Sequence, residues 1–277
     1  MMLSHKFDKD KIKFSGFISR KYDGVPAGYS YNTVVSRQNK TLNGIKWIHD
    51  EIYKAIPKNW QIWGEHYKPN MSFKEISGKV RKDEKWKEAN LYLFNLNIYN
   101  DNIPFNDRYN LLEDWYNKYK FPQLKLCKQI YVSNMNDVDN AILNISNTID
   151  YDNNPIEGYM YHYEYGLYTD NIRSWDSMKI VYKPTIDLQL VDINEAIDKN
   201  NNKKGIVGSF ICTDSNNNTI IVSAGNFIHK DRKDIFNNFN KYKNKIIVCQ
   251  YKIDTSYKNN IREPVAKYFH EDKIFPD

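Results

Sequence analysis

Apolar positions recur along this chain in two rhythms, and the change from one to the other divides it. Isoleucines 45, 48, 52 and 56 repeat at helical spacing over Leu42–Ile56, and Pro57 ends the run. The same period predicts a helix over Asp107–Tyr119, with Leu111, Leu112 and Trp115 facing inward. It predicts another over Asp137–Ile149, starting near Asn136 or Asp137 as a cap. Between these helices lie extended stretches at Lys11–Phe17, Ala27–Ser36, Trp60–Gly64, Leu91–Tyr99, Glu157–Tyr168 and Met178–Tyr182. After Lys183-Pro184 short β runs take over, at Asp187–Val191, Gly205–Thr213, Thr219–Ala224, Lys245–Ile253 and Pro264–Phe269. Asn216–Asn218 forms a hairpin turn among them, and Lys230–Tyr242 is the one helical interruption. The expected architecture is α+β over residues 1–184, followed by a small all-β barrel of the OB type over 185–277.

Composition narrows the classes. With 277 residues, 41% of them hydrophobic, the chain has ample material for one large or two modest cores. No stretch approaches the roughly 18 unbroken apolar residues of a membrane span. The opening Met1–Asp8 has no apolar h-region, so no secretory signal is expected. Cys127, Cys212 and Cys249 are far apart and odd in number, which speaks against a disulfide framework or a zinc site and for a reducing, cytoplasmic setting. Lys and Arg exceed Asp and Glu by 40 to 34, a net charge of +6 that permits a polyanionic partner without demanding one. Asn200–Asn202 and Asn216–Asn218 read as loops.

Candidate chemistry begins at Lys21-Tyr22-Asp23-Gly24, a lysine between a strand and a tight turn. A lysine attacks only when unprotonated, which desolvation and neighbouring cations promote. Alone, the string far more often describes a surface lysine in an Asp-Gly turn. The six histidines are dispersed, and neither a Walker-type G-x-x-x-x-G-K-[ST], a G-x-G-x-x-G nor a G-x-S-x-G string is present.

The rest of the chain adds an ordered series: Ser36-Arg37, Trp63-Gly64-Glu65, Phe94-Asn95, Glu157-Gly158, Lys179, Lys183-Pro184, and a tail ending in Asp272-Lys273. Gly205–Phe210, Val222–Phe227 and Ile261–Ala266 stand in the barrel region. Over nearly its whole length the chain resembles the covalent nucleotidyltransferases, and specifically the small phage and viral ATP-dependent DNA ligases. The resemblance implies a nucleotidyltransferase (adenylation) domain of antiparallel sheets and flanking helices, then an OB-fold domain. It implies ATP and a divalent metal, Mg²⁺, as cofactors, nicked duplex DNA as partner, a monomer, and a cytoplasmic site of action (that of the host, for a phage enzyme).

By the same resemblance, Lys21 would attack the α-phosphorus of ATP and carry AMP, with Lys179 and Lys183 on the α-phosphate. Phe94 would stack on adenine. Glu65 would hold the ribose or assist the metal, and Glu157 would bind the metal. Arg37 would take the 5′-phosphate of the nick, with Arg20 beside it on DNA, while Asp272 and Lys273 would orient pyrophosphate. Lys74–Lys87, Lys199–Lys204 and Lys230–Lys233 are further candidate DNA contacts. The family pattern is not followed everywhere. Pro26 stands where an arginine is usual, Asn95 replaces an aspartate, Lys179 and Lys183 are set further apart than the usual lysine pair, and His270 takes an arginine's place. An RNA ligase or an mRNA-capping guanylyltransferase of the same superfamily is the rival enzyme reading. A non-catalytic nucleic-acid-binding protein is the alternative of another class.

Overall fold

A computed structural model describes residues 1–144, 157–181, 183–253 and 261–277. Two compact units divide the chain, one spanning Met1–Tyr182 and one beginning at Lys183.

The first unit contains two five-stranded sheets. Its strands are β1 (Leu3–Lys6), β2 (Gly16–Arg20), β3 (Val25–Ser30), β4 (Val34–Ser36), β5 (Trp60–Tyr67), β6 (Asn90–Ile98), β7 (Leu124–Leu126), β8 (Gln129–Val132), β9 (Gly158–Tyr163) and β10 (Arg173–Val181). Its helices are α1 (Lys46–Ile52), α2 (Phe73–Arg81), α3 (Phe105–Tyr119) and α4 (Met135–Asn144). One sheet runs β1-β10-β9-β2-β8 and the other β4-β3-β5-β6-β7. The chain crosses between them directly after Arg20, through the turn that holds Lys21–Gly24.

Periodicity explains the larger packing. Ile45, Ile48, Ile52 and Ile56, the predicted helical stripe, are all buried against the second sheet through Val25, Ala27, Tyr29, Ile62 and Leu93. Each such isoleucine contributes roughly 1.5–3 kcal/mol by leaving water. A smaller core beneath the first sheet joins Ile18, Tyr161, Met178 and Ile180 to Val138 of α4. Ser72 caps α2 in a reciprocal box. Its hydroxyl accepts from the Glu75 N–H at 3.3 Å, and its own N–H donates to the Glu75 carboxylate at 2.8 Å.

Strand β6 departs from simple alternation. Trp63 pairs with Asn95 and Gly64 with Leu93, so Phe94 is the extra residue of a bulge. The bulge switches the phase of burial. Leu91 and Leu93 enter the core before it, Leu96 and Ile98 after it, and Phe94 stays half-buried outside that cluster.

The second unit is a closed barrel of β11 (Thr185–Ile197), β12 (Lys203–Thr213), β13 (Thr219–Ser223), β14 (Ile246–Ile253) and β15 (Ile261–Phe269), in the order β11-β12-β13-β15-β14. Helix α5 (His229–Asn237) lies between the third and fourth strands in sequence. Leu188, Leu190, Val207, Phe210, Val222 and Ile247 fill the interior. Asn200–Asn202 and Asn216–Asn218 fall in the loops between strands. The strands predicted over Asp187–Val191, Gly205–Thr213 and Pro264–Phe269 lie within longer ones, whereas those over Thr219–Ala224 and Lys245–Ile253 each overrun the observed strand by one residue. The last five residues of the helix predicted over Asp137–Ile149 lie outside the described residues.

Candidate active site

Lys21 follows the last residue of β2, and its backbone N–H donates to the Gly158 carbonyl at 2.8 Å, carrying the β2–β9 ladder one step further. That step brings the side chain to Glu157, where the ammonium lies 2.5 Å from Oε2. The carboxylate side chain is only 7% exposed and the lysine 24%, so the pair sits mostly away from bulk water. Gly158 is packed too closely for a side chain, since an added Cβ would lie 2.0 Å from the Ile180 carbonyl oxygen of β10.

Gly24 makes the second close approach. A Cβ there would lie 2.1 Å from the backbone oxygen of His66, and 3.0 Å from Glu65 Cγ. The turn is therefore pressed onto β5 with Glu65 beneath it, and the Gly24 N–H bonds to the Glu65 carboxylate. Burial pushes the Glu65 carboxyl up to about 8. The charges of Glu157 and Asp23 add to that shift, while Lys21 and the Gly24 N–H oppose it. Opposite Glu65 on β3 stands Pro26, in the place where the resemblance would put an arginine.

Tyr22 turns the other way, into a ring cluster. Its ring lies 4.2 Å from Tyr92 and 5.3 Å from Tyr67, centroid to centroid. The Arg20 guanidinium covers both Tyr22, at 4.5 Å, and Tyr67, at 5.1 Å, and donates to the Tyr67 hydroxyl at 3.3 Å. Arg20, expected to serve DNA, thus braces the turn with its planar face.

Lys179 of β10 completes the constellation. Burial lowers its pKa, and the nearby positive charges of Lys21, Arg173 and Lys6 lower it further, against the pull of Glu157. Lys21, Glu65, Glu157 and Lys179 therefore share one electrostatic field. Phe94 stands half-exposed at its bulge. Arg37 is exposed in the tight turn after β4, where the Ser36 N–H donates to the Lys40 carbonyl.

The other expected residues belong to the barrel unit. Lys183 lies just ahead of β11, and its carbonyl accepts from the Gln250 side chain at 3.3 Å. Lys273 donates to Asp187 and to Asp277, each at 2.6 Å, and His270 bonds Asp187 at 2.8 Å, while Asp272 is exposed. Sequence reasoning did not single out Asp23 as a charge acting on Glu65, the Tyr22–Tyr67–Tyr92 cluster, or Lys6. Only Asp23 had a signal, being inside the turn motif itself.

Among the described residues, no group of three or more His, Cys, Asp or Glu side chains could hold a metal on its own. Glu65 and Glu157 supply hard oxygen donors, a set that suits Mg²⁺ when substrate phosphates complete its shell.

No protein-family model matches the chain, and no curated protein matches it in sequence. Its fold is nonetheless the one shared by ATP-dependent DNA ligases, so the resemblance carried by the motifs is shown at the level of architecture. A Lig E DNA ligase, described as binding DNA with a minimal scaffold, is 16% identical and matches with a TM-score of 0.75 over 98% of each chain. The structure called Pmar-Lig is 19% identical, with a TM-score of 0.78 over 98% of this chain and 67% of its own. The bacteriophage T7 ATP-dependent DNA ligase in complex with ATP gives 12% identity and a TM-score of 0.56, over 97% of this chain and 98% of its own.

Proposed function

We propose that this chain is an ATP-dependent DNA ligase that seals 5′-phosphate/3′-hydroxyl nicks in duplex DNA through a lysyl-AMP intermediate. The observation that carries the reading is the Lys21–Glu157 pair at the end of β2, with Glu65 and Lys179 in the same field. The likeness of the fold to ATP-dependent DNA ligases supports it.

In this reading the unprotonated Lys21 amine attacks the α-phosphorus of ATP. The Nζ–P bond forms, the bond to pyrophosphate breaks, and the lysine proton passes to Glu157 Oε2, which already lies at hydrogen-bond distance. Lys179 adds positive charge where the phosphoryl oxygens become more negative. AMP then moves to the 5′-phosphate of the nick, the P–N bond breaks, and Lys21 is regenerated. Attack by the 3′-hydroxyl forms the phosphodiester and releases AMP. Phe94 serves the adenine and Arg37 the 5′-phosphate, while Lys183, Asp272 and Lys273 act from the barrel unit on phosphate and pyrophosphate. Glu65 and Glu157 would hold Mg²⁺, which neutralises phosphate charge when bound.

The test is to incubate the protein with labelled ATP or GTP, denature it, and assay sealing of a nicked duplex. ATP is expected to leave a stable adduct that disappears in Lys21→Ala and in Lys21→Arg, the latter keeping a cation against Glu157. An adduct that survives both changes removes Lys21 as the nucleophile. An adduct with GTP alone points to a capping enzyme, and joining only of RNA-containing nicks to an RNA ligase.

A further inference from the structure

Strand β1 is the open edge of the first sheet, and beside it lies a cleft of about 650 Å³ that the site residues do not line. Lys6, Lys9 and Arg173, whose guanidinium also donates to the Ser4 carbonyl, supply its positive charge, and Asp8 and the His5 and Trp175 rings line it as well. Two features of the strand pairing build it. First, β1 and β10 run parallel with Lys6 directly beside Lys179. Like charges in that position repel, and among the described residues neither lysine forms an ion pair. Lys9, by contrast, is paired to Asp139 at 2.8 Å, and the Asp8 carboxylate is tied to the Asp10 N–H. Second, β10 carries extra residues between Ser174 and Met178 where β1 merely steps from Ser4 to His5. The irregularity leaves Trp175 37% exposed, lying flat on His5 at 3.8 Å with ring planes 3° apart.

Strand register leads from the cleft toward the site. It sets Lys6, Lys179, Met160 and Ser19 in one row across β1, β10, β9 and β2, and Lys21 follows Ser19 by two residues. Two adjacent lysines without an ion pair among the described residues, Lys6 and Lys179, with the His5–Trp175 ring pair beside them, match a charged polymer of regularly spaced phosphates and flat, partly apolar sugars and bases. They match less well a single compact anion, which needs one convergent pocket. We infer that the β1–β10 cleft binds the sugar-phosphate backbone of the DNA strand leading into the active site. Lys6 and Arg173 meet successive phosphates, and the exposed face of Trp175 packs against the strand. The inference rests on the ligase reading and assigns that enzyme a further DNA-binding surface.

The test uses the full chain, a fluorescently labelled nicked duplex, and a parallel assay of adduct formation with labelled ATP in the absence of DNA. Lys6→Ala is expected to weaken duplex binding about tenfold and to reduce the slope of log K against log salt by about 1. Lys6→Arg is expected to bind as the unaltered protein does. Trp175→Ala is expected to weaken binding with the slope unchanged, and neither Lys6→Arg nor Trp175→Ala to alter the ATP adduct. Equal binding by Lys6→Ala and the unaltered protein overturns the assignment, as does no duplex binding at all. So does loss of the ATP adduct in Lys6→Ala, which would give the cleft to the nucleotide's phosphate tail. Self-association as the sole effect would make Lys6 a guard of the sheet edge, and overturns it too. An unaltered protein that binds duplex through Lys6 yet forms no adduct refutes the ligase reading and upholds the cleft.

Discussion

Removing one partner of the Lys21–Glu157 pair leaves the other charge stranded in a mostly dry place, so the two residues must be judged together. The same electrostatics governs a second buried group. His162 lies face to face with Phe105, with ring centroids 4.3 Å apart, and burial together with the Arg108 charge lowers its pKa from 6.5 to about 3. Between those values the folded protein binds fewer protons than the unfolded chain. The stability contributed by this histidine is therefore complete above about pH 6.5 and is lost as pH falls toward 3. His162→Phe keeps the stacked ring and removes the titration. In denaturant unfolding between pH 7 and 4.5 the variant is expected to lose less stability than the unaltered protein. His66, lowered to about 3 in the same way, leaves part of the slope in place. Parallel stability curves would show that His162 does not titrate on unfolding. At this scale Lys21, Glu65, Glu157 and Lys179 were legible in the sequence because each belongs to a short string in a recognisable order. Lys6 was not, because its position beside Lys179 depends on parallel pairing between opposite ends of the unit.

Elements with a sustained period were legible, and short or irregular ones were not. The isoleucine stripe through and around α1 and the apolar positions of β6 on either side of its bulge were plain, whereas β1, β7 and β8 are too brief to show a period. Helix α2 places only Ile76, Ser77 and Val80 in the interior, a stripe too short to stand out in the sequence. The bulge at Phe94 was hidden because it interrupts the alternation by which strands are read. Two glycines test the element-level account. Gly24→Ala forces a methyl onto the His66 backbone and shifts the turn that bears Lys21. It is expected to lower the melting temperature and cut adduct formation at least about tenfold. Gly78→Ala in α2 meets nothing within 4 Å and is expected to stabilise the protein by about 0.5–1 kcal/mol with adduct formation unchanged. The reverse ranking in thermal melts and adduct assays would contradict the packing described for both.

Each unit of the whole molecule has a core of its own. Leu188, Leu190, Phe210, Val222 and Ile247 fill the barrel without help from the first unit's sheets. A protein of residues 183–277 is accordingly expected to fold alone, with a β-rich circular dichroism spectrum and one cooperative melt. A broad, non-cooperative melt would mean that the barrel needs the first unit. The change of rhythm after Pro184 was visible because many short strands between polar turns differ in texture from long helices. The compact barrel unit starts at Lys183, two residues ahead of the expected division, and so takes that lysine with it.

Gly158 has a consequence for how the reactive pair is held. Its carbonyl receives the Lys21 N–H, its Cα abuts the carbonyl of Ile180, and its predecessor is Glu157, so three strands meet at one bare stretch of main chain. The anchoring of amine and carboxylate is thus dictated by the weave of the sheet rather than by the choice of rotamers. Chemistry at this spot can be retuned by swapping the charged groups, but their attachment points cannot be moved apart without unpicking the fabric that carries them.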